Sequence, residues 1–64
     1  MVSLKELRKS HYISQEDLAK LADTTASTIN RLEKGKQAPR YGTIRKIAKA
    51  LGVKPSDIEF LKPL

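Results

Sequence analysis

The sequence predicts an all-α fold, a compact bundle of about five short helices, and three observations carry that prediction. Apolar residues recur three and four positions apart along most of the chain, the spacing of one face of an α-helix. The strict alternation of a half-buried strand is nearly absent, as are β-branched or aromatic runs. Capping residues, glycines and prolines interrupt the apolar stripes at short intervals, leaving connections of only a few residues.

The elements follow in order. Leu4 and Leu7 lie three apart, with Lys5, Glu6 and Lys9 on other faces, so a first helix is expected from Ser3, its cap, to about Lys9. Ser14 opens a second, with Glu16 and Asp17 in the first turn, where the helix dipole favours acids. Its buried stripe is expected to be Leu18, Leu21 and Ala22. The pattern breaks at Asp23, a residue that tolerates the left-handed conformation ending a helix, and Thr25 caps the next. The third helix, about Ala26 to Lys34, turns Ile29 and Leu32 inward and stops at Gly35. After a loop from Lys36 to Pro39, a fourth helix runs roughly from Tyr41 to Leu51 on Ile44, Ile47, Ala48 and Leu51. Gly52 stops it. Pro55 suits the first position of a last short helix carrying Ile58 and Leu61, which Pro63 ends.

The chain of 64 residues is expected to form one domain, residues 1–64, with a core of only a few kcal/mol and little room for an enclosed active site. With no cysteine and one histidine, a disulfide framework, a thiolate metal site and a cysteine nucleophile have no residues to draw on. His11 reads as a loop residue, and no Ser/His/Asp arrangement or glycine-rich phosphate loop is present, so neither enzyme nor cofactor is expected. No stretch reaches the ~20 apolar residues that span a bilayer. The amphipathic, charged start from Met1 to Ser10 does not read as a signal peptide, and a cytoplasmic protein is expected.

Charge is more informative. There are 13 Lys and Arg against 7 Asp and Glu, a net charge of +6 with a pI near 9.9. Such an excess favours a polyanionic partner, although a basic surface can also serve solubility alone. Its distribution favours the former. Arg31, Lys34, Lys36, Arg40, Arg45, Lys46 and Lys49 follow one another with Glu33 as the only acid among them.

From Gln15 to Gly35 the run QEDLAKLADTTASTINRLEKG resembles the helix-turn-helix of the phage-repressor-like (Cro and Xre) family. Gln15 precedes Leu18-Ala19 by three residues. Asp23 makes a tight turn, Thr25 caps, Ile29 and Leu32 face inward, and Glu33 and Gly35 follow. Pro39, and the segment Ile47 to Val53, also fit, so the resemblance covers Leu4 to Leu61. It implies a lambda-repressor-like fold whose motif, about residues 15–34, binds double-stranded DNA. The spacing makes independent sense. Ala19 is small where two helices cross closely, and a short turn lets the outer face of the second protrude into a major groove ~12 Å wide.

With Ile29 and Leu32 buried, helical geometry turns Ala26, Ser27, Asn30, Arg31 and Lys34 outward. The resemblance implies base contacts at Ala26, Ser27 and Arg31. Asn30 is added because an asparagine amide pairs with adenine as an arginine clamps guanine. Ala26 replaces the longer polar residue common in the family and offers only a methyl group. Much of the discrimination therefore falls to Asn30, Arg31 and DNA shape. Phosphate contacts are expected from Gln15, Thr25, Thr28, Lys34, Lys36 and Arg40. The resemblance also implies an internal ion pair between Arg8 and Glu33; the alternative is two solvated charges.

Tyr41 is expected in the core. Phe60 falls off the Ile58/Leu61 face and is expected either at a dimer contact or as chain-end packing. Family members commonly bind as dimers, so a homodimer on DNA is expected, formed by a chain with no separate dimerisation domain and no evident small-molecule ligand. The leading function is a sequence-specific transcriptional regulator, most simply a repressor. A different class, an antitoxin or co-regulator working through protein contacts, would need an exposed apolar patch, with Phe60 to Leu64 as its candidate. Non-specific RNA binding lacks an aromatic platform.

Overall fold

Four α-helices and one minimal strand pair make up the described part of the chain, residues 2–60 of a computed structural model. Strand β1 (Val2–Ser3) leads into α1 (Leu4–Ser10), followed by α2 (Gln15–Leu21), α3 (Ala26–Glu33) and α4 (Tyr41–Leu51). A single 3₁₀ turn, Pro55–Asp57, then feeds β2 (Ile58–Glu59), which lies parallel to β1 with Val2 opposite Ile58.

The helices start where the capping residues dictate. Ser3 accepts from the Glu6 amide at 3.2 Å, and Thr25 from the Thr28 amide at 3.2 Å. Ser14 and Asp17 form a reciprocal capping box, satisfying two of the amides that open α2.

All four helices end the same way. After each, one residue turns left-handed and two amides fold back onto the last turn, for example Asp23 to Lys20 and Thr24 to Ala19 beyond α2. Gly35 and Gly52 fill that position after α3 and α4. After α1 and α2 it is taken by Tyr12 (φ 56°), for which the conformation is strained, and by Asp23 (φ 54°), which tolerates it.

The core is a single cluster: Leu4 from α1, Leu18 and Ala19 from α2 with Ala22 just beyond it, Ile29 and Leu32 from α3, Ile47, Ala48 and Leu51 from α4, and Ile58 from β2. Leu7, Ile13, Ala50, Val53 and Phe60 pack around it. Helix α2 packs most extensively against α3, and buried Ala19 is small enough to allow their approach.

Several expectations need correction. The fifth helix is one 3₁₀ turn and a strand. Asp57 bonds back to the Lys54 amide and closes the turn, after which Ile58, β-branched and buried, finds backbone partners on β1 instead of in a further helical turn. Leu61 and Pro63, assigned to that helix, lie outside the described residues. Leu21 is 62% exposed: α2 buries the arc of Leu18, Ala19 and Ala22, and at about 100° per residue Leu21 falls well off its centre. Tyr41 is 85% exposed and lines a surface hollow with Ile44, Arg45 and Pro55 instead of entering the core. Ile44, expected on the buried face of α4, is half-buried there and outside the core cluster. Phe60 is half-buried against the core. No helix among the described residues is long and apolar enough to cross a membrane.

Candidate nucleic-acid interface

Two short helices joined by the Ala22–Thr25 turn build the site, and the turn fixes their relation. Ala22 closes α2, Asp23 reverses the chain, and the Thr25 hydroxyl caps α3. One face of α3 meets the core through Ile29 and Leu32, and the outward residues gather on the other side. Gln15 from α2 and Ala26, Ser27, Asn30 and Arg31 from α3 line one shallow concavity. Ser27 and Arg31 are exposed, while Ala26 and Asn30 are half-buried, less outward than helical geometry alone suggests.

Beneath that concavity runs a chain of hydrogen bonds. The Arg8 guanidinium meets Glu33 twice, Nε donating to Oε2 at 2.7 Å and a terminal nitrogen to Oε1 at 3.2 Å, and its other terminal nitrogen donates to the Ile13 carbonyl at 2.8 Å. Both side chains are well covered, Arg8 at 11% and Glu33 at 3% exposure. Hydrogen bonding to Glu33 raises the Arg8 pKa above its ordinary value, against the opposing effect of burial. While Glu33 is ionised, the charge of Arg8 therefore does not limit the pair below the usual arginine range, and its contribution is lost as pH rises through the raised value.

The chain continues outward. Gln15 donates Nε2 to Glu33 Oε1 at 3.2 Å and accepts at Oε1 from Asn30 Nδ2 at 3.3 Å. Arg8, Glu33, Gln15 and Asn30 thus link α1, α2 and α3. Spacing alone points Gln15 and Asn30 at a ligand, but their coupling to each other escaped the sequence reading. The available signal was that Asn30 and Glu33, three apart on α3, share a face with inward Ile29.

The remaining site residues form a rim. Thr25 and Thr28 bond to each other through their hydroxyls at 3.0 Å, which engages both within the cap. Lys34 ends α3, Lys36 follows Gly35 in the loop, and Arg40 stands at the start of α4 with no side-chain cap bond; all three are exposed. The basic run is divided in space. Lys46 and Lys49 line a separate hollow with Leu21, Ala22, Asp23 and Ala50, and Lys46 lies 3.8 Å from Asp23.

Comparison with known proteins agrees with the helix-turn-helix arrangement of α2 and α3. The family model described as Helix-turn-helix matches residues 4–58. An uncharacterized HTH-type transcriptional regulator of Methanocaldococcus jannaschii is 47% identical over 55 residues, covering 86% of this chain and 83% of that protein. An uncharacterized HTH-type transcriptional regulator of Methanothermobacter thermautotrophicus is 41% identical over 49 residues, covering 77% of this chain and 71% of its own length.

Proposed function

The chain belongs to the helix-turn-helix family, and from that premise we propose that it regulates transcription by sequence-specific binding of double-stranded DNA, α3 entering the major groove. The observation that carries this reading is the shared concavity of Gln15, Ala26, Ser27, Asn30 and Arg31, with exposed cations at its rim. Base contacts fall to Ala26, Ser27, Asn30 and Arg31. Arg31 clamps guanine through O6 and N7, Asn30 pairs with adenine, and Ala26 supplies a methyl contact. Gln15, Thr25, Thr28, Lys34, Lys36 and Arg40 hold the phosphates. Arg8 and Glu33 touch no DNA and fix the tilt of α3.

In this reading the protein is a cytoplasmic repressor, with no catalytic role, that binds as a homodimer. Two copies of α3 one DNA turn apart, ~34 Å, read a near-palindrome. Titration with a candidate operator and a scrambled duplex at several salt concentrations tests it. Arg31→Ala should weaken binding to the operator and remove the preference at the base pair that Arg31 reads. Lys36→Ala should weaken every duplex alike and reduce the salt slope by about one. Equal affinity for all duplexes in the unmodified protein would sink the specific reading.

A further inference from the structure

The hydrogen bonds beneath the concavity have a direction that charge imposes, and its consequence depends on the DNA-binding reading above. The Glu33 carboxylate has acceptors only, and Arg8 already donates to both its oxygens. Any further partner of Oε1 must also be a donor. Gln15 therefore turns Nε2 toward Glu33, which leaves its carbonyl Oε1 toward Asn30. A carbonyl carries no hydrogen, so Asn30 must answer with Nδ2. One buried carboxylate sets the polarity of two amides across two helices.

That polarity decides what Asn30 can show to a base. Spending one Nδ2 hydrogen on Gln15 leaves one N–H and the Oδ1 carbonyl, one donor and one acceptor. The major-groove edge of adenine offers the complement, N7 accepting and N6 donating. A reversed amide, with Oδ1 against Gln15, would show two donors instead, which suits the two acceptors of guanine, N7 and O6. In water an asparagine adopts either orientation freely. Here Glu33 is shielded and Gln15 and Asn30 are half-buried, so a reversed amide would oppose a carbonyl to a carbonyl, and the partial access of solvent at the concavity relieves that only in part.

We propose that Gln15 and Glu33 are positioning residues that lock Asn30 in its adenine-reading orientation, so that discrimination of adenine from guanine at one base pair depends on residues that touch no base. This gives a reading face that is short at Ala26 and Ser27 a fixed recognition element beside the exposed Arg31.

The test uses the 64-residue chain and a duplex it enriches from a randomised pool. Asn30→Ala identifies the base pair that Asn30 reads, as the position whose preference disappears. Competition binding then compares A·T with G·C at that position. The unmodified protein should favour adenine there by about tenfold or more, the scale of one good bidentate contact. Gln15→Met keeps the Arg8–Glu33 pair and should stay folded by thermal melting. It should collapse the ratio to about twofold or less while the preference carried by Arg31 persists. Glu33→Gln, which can donate or accept, should relax the same position.

An unchanged ratio in Gln15→Met overturns the relay alone. So does an Asn30→Ala protein with every preference intact, or a base other than adenine at the Asn30 position. A parent protein that enriches no sequence overturns the specific DNA-binding reading, and the relay with it.

Discussion

Helix α3 is held from two sides by different physics. On one, Ile29 and Leu32 pack into an apolar cluster with Leu18, Ala19, Ile47 and Ala48. That side demands volume and shape, and substitutes of similar size serve it nearly as well. On the other, Glu33 and Asn30 belong to the hydrogen-bonded chain that begins at Arg8 and passes through Gln15. That side demands identity, since a donor in place of an acceptor breaks it. The apolar side supplies stability and the polar side supplies orientation. A buried ion pair contributes little net stability after desolvation, which is why its proposed role here is to fix how α3 presents its residues.

Breaking each side should separate the two roles. The largest effect is expected from Ile47→Ala, which opens a cavity in the fully buried centre and should cost about 2–5 kcal/mol. In a domain with only a few kcal/mol to lose, much of the chain would be unfolded at room temperature, as circular dichroism would show. Next comes Arg8→Met. It strands the Glu33 carboxylate without its main partner and should cost about 3 kcal/mol, read from denaturant unfolding. Replacing both, Arg8→Met with Glu33→Met, should recover most of that stability but not the base preference of the parent protein. Recovery of both would erase the distinction between the two sides.

Smaller effects sharpen it further. Arg31→Ala should leave the melting temperature unchanged and weaken binding to the preferred duplex by about 1–3 kcal/mol, measured by titration. Tyr12→Gly should stabilise, because Tyr12 is 96% exposed and holds a left-handed conformation that glycine adopts freely. A gain of up to about 1 kcal/mol would raise the melting temperature by roughly 4–8 °C. Lys46→Ala removes a 3.8 Å ion pair to a solvent-exposed Asp23 and should change stability by less than about 0.5 kcal/mol.

The same division explains what the sequence made legible. Caps at Ser3, Ser14 and Thr25, stops at Gly35 and Gly52 and the left-handed Asp23 are local effects, and each helix boundary lies within a residue or so of its predicted place. The apolar stripe was legible wherever a helix lies fully against its neighbours. It failed at Leu21, the last residue of α2, and in part at Ile44, which is half-buried outside the core cluster, while Tyr41, expected in the core from the resemblance, is exposed. The last element was misread because pairing between Val2 and Ile58 is a contact between the two ends of the chain, which no local window contains. The polar relay was half legible for the same reason. Resemblance suggested Arg8 with Glu33, but the tie from Gln15 to Asn30 depends on how α2 crosses α3.

Chemical-shift mapping of the ¹⁵N-labelled chain against its preferred duplex tests most directly that DNA lies on the concave face of α3. The signals of Gln15, Ser27, Asn30, Arg31 and Lys36 should move together and saturate at one stoichiometry, while those of Leu21, Lys46, Lys49 and Ala50 stay in place. Movement of the second group with the first unchanged would put the nucleic acid on the other hollow and contradict the account.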